Sequence, residues 1–496
     1  MTSSVTTRAN LSPEEAAVVD AVPTDLLIGG RWRAAASGRT FPVEDPATNQ
    51  VLAEVADGAA EDGQAALDAA AGAQGEWAAV PPRERGEILR RSFEAIMGRV
   101  DELALLMTLE MGKPIAESRA EVAYAAEFFR WFSEEAPRIA GRYATVPNGT
   151  GRMMVMRQPV GPCLLITPWN FPLAMATRKI GPAIAAGCTM VFKPAALTPL
   201  SALAVAQILA DAGLPDGVLN LVTTSRARDL TSPLLEDPRL RKLSFTGSTE
   251  VGRSLMAQAS DQVLRVSMEL GGNAPFVIFD DADLDAAVEG AMVAKMRNGG
   301  EACTAANRFY VQEPLADAFA AKLAERMEAI KVGRGTDTGV QLGPMVDEAT
   351  RTKVAELVDD AASRGARVLT GGQPIEGAGY FYRPTVLGGV PGGARCLSEE
   401  IFGPVAPIVS FSSEEEGVAA ANDTEFGLVA YLYTKDFSRA IRTTEGIDSG
   451  MVGLNQGMVS NPAAPFGGVK QSGLGREGGA EGIGEYLSTK YVAFPL

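Results

Sequence analysis

Histidine is absent from this 496-residue chain. That gap removes the Ser-His-Asp triad, the Cys-His dyad and the His-Glu-x-x-His zinc site, because each needs an imidazole. Any general base must be a carboxylate, an amine or a phenol. Cysteine is scarce, with four residues and no C-x-x-C spacing, so neither a thiolate metal cluster nor a disulfide framework is expected, and a cytoplasmic, reducing setting fits. No run approaches the ~18 uninterrupted apolar residues that a membrane-spanning helix needs. Positive charge is in deficit: a formal net charge of -16 repels nucleic acid and anionic membranes on average, yet leaves room for a local basic pocket. Residues 1–22 carry Arg8, Glu14 and Glu15 without an apolar block, and read as a flexible polar extension, not a signal peptide.

What is present has the balance of a globular protein, 46% hydrophobic and 21% charged, with length for about three domains. Residues 61–80 and 82–111 carry apolar positions at helical spacing, with Leu89, Phe93, Ile96 and Val100 on one stripe. Another helix is predicted over 115–139. Residues 142–160 read as a hairpin turning at Pro147-Asn148-Gly149. Strand and helix alternate from 161 to 270, the pattern of a parallel sheet wound by helices, and a second βα series runs from Phe276 to about Ser449. A last strand is predicted over 489–494, after a glycine-rich run (467–484) too irregular for a regular element.

Five clusters carry chemistry. Cys303 lies in Arg-Asn-Gly-Gly-Glu-Ala-Cys-Thr, a polar, small-residue setting that suits a nucleophile, whereas Cys163 and Cys188 sit in apolar runs and Cys396 in a loop. Glu269, at a strand end beside Gly271-Gly272, is the leading base in a chain without imidazole, although most glutamates are surface residues. Pro168-Trp169-Asn170-Phe171-Pro172 closes a strand where ligands of wound sheets gather, and Asn170 is either a hydrogen-bond donor to a ligand or a helix cap. Lys193 ends the next strand, facing a ribose or phosphate, or simply water. Gly247-Ser248-Thr-Glu-Val-Gly252-Arg253-Ser254 nearly matches a P-loop but has arginine for lysine, so a dinucleotide pyrophosphate suits it better than a triphosphate. Gly473-x-Gly475-x-x-Gly478 imitates the Rossmann fingerprint, but no strand precedes it and no acidic residue follows at the required distance.

Together these motifs, with Glu399-Glu400-Ile-Phe402-Gly-Pro404 and Pro465-Phe-Gly-Gly, resemble the aldehyde dehydrogenase superfamily in order and spacing from about Leu27 to Val492. Residues 166–193 and Arg297-Asn298 are similar to succinate-semialdehyde dehydrogenases. The resemblance implies an α/β fold: a Rossmann-type cofactor-binding domain (23–141 and 161–270), an α/β catalytic domain (271–459), a small β oligomerisation extension (142–160 and 485–496) and a segment returning to the active site (460–484). It also implies that Cys303 attacks the aldehyde, that Asn170 and the Cys303 N–H hold the oxyanion, and that Glu269 activates water on the thioester left by hydride transfer. Cofactor contacts are implied for Thr167, Pro168, Trp169, Lys193, Ala195, Ala196, Gly247, Ser248, Gly252, Leu270, Glu400 and Phe402. Arg178, Arg297 and Ser460 match the positions that hold a substrate carboxylate.

Three departures qualify this picture. Ala196 stands where NAD-preferring relatives carry a glutamate, so NADP is favoured over NAD. Leu221-Val-Thr-Thr-Ser-Arg226-Ala-Arg228 lacks a glycine common after this strand, leaving Arg226 or Arg228 to meet a phosphate. Ala305 replaces the second cysteine of some relatives, so no reversible local disulfide is expected. The expected activity is oxidation of succinate semialdehyde in a homodimer or homotetramer, without metal. The rivals are glutarate semialdehyde or broad aliphatic aldehydes, coenzyme-A acylation, and an idle structural protein on the same fold.

Overall fold

The computed structural model describes residues 10–495. Short apolar runs that are buried on both faces become the inner strands of two wound sheets. In the larger sheet Arg265–Glu269, Lys242–Thr246, Cys163–Ile166, Met190–Lys193 and Leu219–Leu221 lie side by side in that order. All are parallel neighbours, with Gly473–Leu474 added at one edge and Leu26–Ile28 and Arg31–Arg33 at the other. The second sheet runs Arg367–Thr370, Thr385–Gly388, Val405–Phe411, Ala306–Gln312, Ala274–Ile278, Val429–Tyr433 and Met451–Leu454. Only its first pair is antiparallel.

The hairpin Arg142–Thr145 and Gly151–Pro159 pairs with Leu487–Pro495, which runs antiparallel to Gly151–Pro159 from Leu487 opposite Pro159 to Pro495 opposite Gly151. This three-stranded sheet leaves Tyr143 and Tyr491 exposed at 67% and 60%. Helix Ile115–Glu135 packs on helix Pro172–Ala186, where a side chain at Gly181 would lie 3.1 Å from the Phe132 ring. That contact seats the segment at Asn170 on the helical layer.

Four expectations need correction. Within the stretch read as a loose extension, Pro13–Asp20 is a helix, because Ser12 and Glu15 cap it reciprocally, with Pro13 in the first turn. Glu15 also pairs with Arg334 at 2.8 Å; residues 1–9 of that extension lie outside the described residues. The long helix read over 82–111 divides at Gly98 into Pro82–Met97 and Val100–Met111. Ala227–Glu236 is a helix that periodicity did not reveal. The glycine-rich run holds Gly473–Leu474, paired with Met268 and Glu269, and a short helix, Gly479–Gly484. Gly473 adopts φ +124, and a Cβ there would sit 1.8 Å from the Met268 carbonyl oxygen, so only glycine lets this backbone reach the Glu269 strand.

Candidate active site

Strand order in the larger sheet reverses between Cys163–Ile166 and Lys242–Thr246, the first and fourth of its five parallel strands. Loops leaving the carboxyl ends of such strands part and open a crevice. Here that crevice is a cavity of about 250 Å³. Pro168, Trp169 and Asn170 line it from one loop, Gly247 and Ser248 from another, and Leu270 and Gly271 from the end of Arg265–Glu269. Cys303, Glu400 and Phe402 close it from the second sheet's side. The Phe402 ring meets Trp169 edge-on at 5.3 Å, aimed by a backbone at φ +57.

Ser248 caps helix Thr249–Ser260, its hydroxyl accepting from the Val251 N–H at 3.4 Å. The remaining first-turn N–H groups and the helix dipole suit an anion. Gly252 does not line the cavity; a side chain there would lie 2.3 Å from a Leu270 methyl, so its role is to let helix and strand approach. Thr167, Lys193, Ala195 and Ala196 also lie outside the lining. Lys193 is buried at the end of its strand with no ion-pair partner among the described residues, and burial pulls its amine down to about 8.

Burial pushes the Cys303 thiol up to about 12, against the pull of Arg178. The thiol is therefore protonated at rest and needs a base. Glu269 is 3% exposed and both its carboxylate oxygens lack hydrogen-bond partners. Desolvation, reinforced by the Glu477 charge, holds it well above the ordinary carboxylate range, with Arg178 and Lys179 opposing. A carboxyl so raised keeps its proton to higher pH than an ordinary glutamate. Two glycines keep this region narrow: a Cβ on Gly467 would lie 2.9 Å from Glu269 Oε1, and one on Gly272 2.5 Å from the Cys303 carbonyl oxygen.

A second cavity, about 650 Å³, opens on the other side of the same loop. The chain passes from the first to the second between Asn170 and Phe171. Its wall holds Tyr124, Phe171, Arg297 and Ser460. The Arg297 guanidinium lies 4.7 Å from the Phe171 centroid and donates to the Ser460 hydroxyl at 3.3 Å. Arg178 is elsewhere. It is 1% exposed, paired with Glu477 at 2.5 Å and stacked 4.2 Å over Phe466. It is ion-paired with a protein carboxylate, and the charges of Glu269 and Cys303 both act on it.

A sequence model of the aldehyde dehydrogenase family matches residues 32–492. The chain belongs to the aldehyde dehydrogenase family. It is 60% identical to a succinate-semialdehyde dehydrogenase of Paenarthrobacter nicotinovorans over 89% of this chain and 98% of that protein. It is 50% identical to a glutarate-semialdehyde dehydrogenase of Pseudomonas putida over 95% of this chain and 97% of that one. The crystal structure of an NADP-dependent enzyme from Escherichia coli superposes with a TM-score of 0.95 at 50% identity, covering 96% of this chain and 98% of that chain.

The residues of this aldehyde dehydrogenase fit a nicotinamide dinucleotide. Thr246 Oγ1 is buried without a partner in the cavity wall, the capped helix presents N–H groups, and Glu400, pushed up to about 7 by burial, accepts from the Gly272 N–H at 3.2 Å. Sequence reading did not single out Thr350 and Lys353, which reach the dehydrogenase cavity from one face of helix Glu348–Ser363. Their three-residue spacing is a signal shared by most helices. It also missed Lys113 and Glu121, a buried pair at 2.5 Å beneath Asn170. Glu121 accepts from the Leu173 and Ala174 N–H groups and Lys113 donates to the Asn170 carbonyl at 2.8 Å. Breaking one partner of such a pair costs about 3–5 kcal/mol.

Proposed function

We propose that this chain oxidises succinate semialdehyde to succinate with NADP or NAD, NADP preferred, through Cys303, Asn170 and Glu269. The observation that carries the substrate choice is the Arg297–Ser460 pair in the larger cavity, one residue of chain away from the cavity that holds Cys303. A planar guanidinium beside a hydroxyl suits a terminal carboxylate. Lys193, with Ala196 rather than an acidic side chain nearby in sequence, favours a phosphorylated ribose.

In this reading Glu269 takes the Cys303 proton, and the sulfur adds to the aldehyde carbon. The Asn170 amide and the Cys303 N–H then share the charge on oxygen, one such donor being worth about 3 kcal/mol. The bound dinucleotide supplies a hydride acceptor. Once Glu269 has released that proton to solvent, it removes another from the water that cleaves the thioester, Cys303 leaving as the thiolate, and Arg297 with Ser460 holds the carboxylate tail throughout.

Steady-state kinetics with NADP and NAD against succinate semialdehyde, glutarate semialdehyde and uncharged aldehydes test this directly. The expected result is a lower KM for NADP, with Arg297→Ala weakening carboxylated aldehydes by about 10–100-fold, the worth of one charged hydrogen bond. Equal loss on uncharged aldehydes would remove the substrate assignment. A clear preference for glutarate semialdehyde would lengthen the substrate by one methylene, a discrimination of about 1–3 kcal/mol.

We also propose a cytoplasmic homodimer or homotetramer. No described helix is long and apolar enough to cross a membrane. The three-stranded sheet ends in the open edge Arg142–Thr145 and exposes Tyr143, Tyr491 and Phe494, a surface that pairing with another copy would cover. Sedimentation at micromolar concentration is expected to show dimer or tetramer, and monomer alone would refute this.

A further inference from the structure

Asn298 sits five residues before the nucleophile in an unusual turn. It has φ 53 and ψ 36, followed by Gly299 at φ 61 and Gly300 at φ 80. Glycine would suit this left-handed backbone better than asparagine. What asparagine adds is its amide nitrogen: Nδ2 donates to the Asn170 carbonyl and to the Glu301 carbonyl, each at 2.9 Å, while Oδ1 is buried without a partner. Asn170 Nδ2 donates to the same Glu301 carbonyl at 3.0 Å. Glu301 is two residues from Cys303, so these three bonds tie the oxyanion donor to the nucleophile's own turn. The Asn298 N–H is anchored in turn, donating to Glu117 Oε2 at 2.6 Å. Asn170, Asn298 and Glu301 are all at most 4% exposed, so water cannot replace a lost bond cheaply.

The bonding leaves Asn170 with one uncommitted amide N–H, and its Oδ1 has no partner. Where that N–H points depends on how the Asn170 backbone and the Glu301 carbonyl are held. We infer that Asn298 is a positioning residue, one that fixes the Asn170 amide relative to Cys303 without touching substrate or cofactor. This rests on the roles of Cys303 and Asn170 proposed above. Without the Asn298 amide, the Asn170 carbonyl keeps only Lys113 and the Glu301 carbonyl keeps only Asn170. The donor then samples several orientations.

The test is a double-mutant cycle on the full chain, with Asn298→Gly as the variant the backbone accepts and Asn298→Asp as a second that keeps the shape but not the donors. For both, kcat/KM toward succinate semialdehyde is expected to fall by about 10–100-fold, less than the 10²–10³-fold given by removing an oxyanion donor outright. Alkylation of Cys303 by iodoacetamide, which develops no oxyanion, is expected to stay within about twofold of the parent. In the Asn170→Ala background, Asn298→Gly should cause no further loss, because the residue acts through Asn170. An active parent with an unaffected Asn298→Gly overturns the inference alone. So do losses that multiply in the double variant, or alkylation that slows in step with turnover, since both signify a general distortion of the turn. A parent that oxidises no aldehyde overturns this inference together with the proposed function.

Discussion

Cys303→Ser is expected to lower kcat by at least ~10⁴-fold, because no other thiol lines the cavity among the described residues. The Cys303 thiol is already pushed up to about 12 by burial, with the nearby Arg178 charge drawing it down. A serine hydroxyl starts several pKa units higher than a thiol, and a glutamate cannot remove its proton. The cavity otherwise keeps its walls, so cofactor binding should persist. Trp169, packed edge-on against Phe402, provides a fluorescence signal to check it. Appearance of reduced nicotinamide in steady state measures the loss. Retention of more than about one hundredth of the parental rate would defeat the mechanism.

Glu269→Gln is expected to slow both halves of the reaction. Because Glu269 deprotonates Cys303 and then activates water, the variant should release its first equivalent of reduced nicotinamide more slowly than the parent and turn over ~10²–10⁴-fold more slowly, with the acyl group on Cys303 detectable by mass spectrometry. The pH dependence follows from burial. The Glu269 carboxyl is held well above its ordinary range, so its basic form becomes populated only as pH rises through that raised value. The Cys303 thiol is displaced in the same direction. Parental kcat should therefore climb as pH rises, with the Glu269 limb above the ordinary carboxylate range, and that limb should vanish in the glutamine variant. A parental profile that falls as pH rises would contradict both displacements.

The Asn170 loop and the Ser248 helix start were legible in the sequence because their chemistry is local. A strand pattern, a proline or a capping serine, and small residues before a helix declare a carboxyl-end loop wherever it lies. The capping box at Ser12 was equally local, yet the surrounding polar composition concealed it. The break at Gly98 was not legible, because Leu89, Phe93, Ile96 and Val100 keep one stripe across it while the chain changes direction.

Arg178 marks the limit for site residues. Its place in the chain matches a substrate-binding position, but its partner is Glu477, 299 residues later, on the glycine-rich return segment. Lys113 and Glu117 carry no motif, and the Arg297-Asn298 motif does not declare what Asn298 bonds to; only the packing of helix Ile115–Glu135 beside the Asn170 loop brings them together. The sequence by itself determined the two wound sheets, the one thiol in a polar, small-residue setting and the exclusion of an imidazole base, since those follow from periodicity, neighbouring residue types and the absence of histidine. Tertiary structure alone decided which arginine faces the larger cavity and what holds the oxyanion donor, because ion pairs and buried hydrogen bonds depend on distances between segments that are remote along the chain.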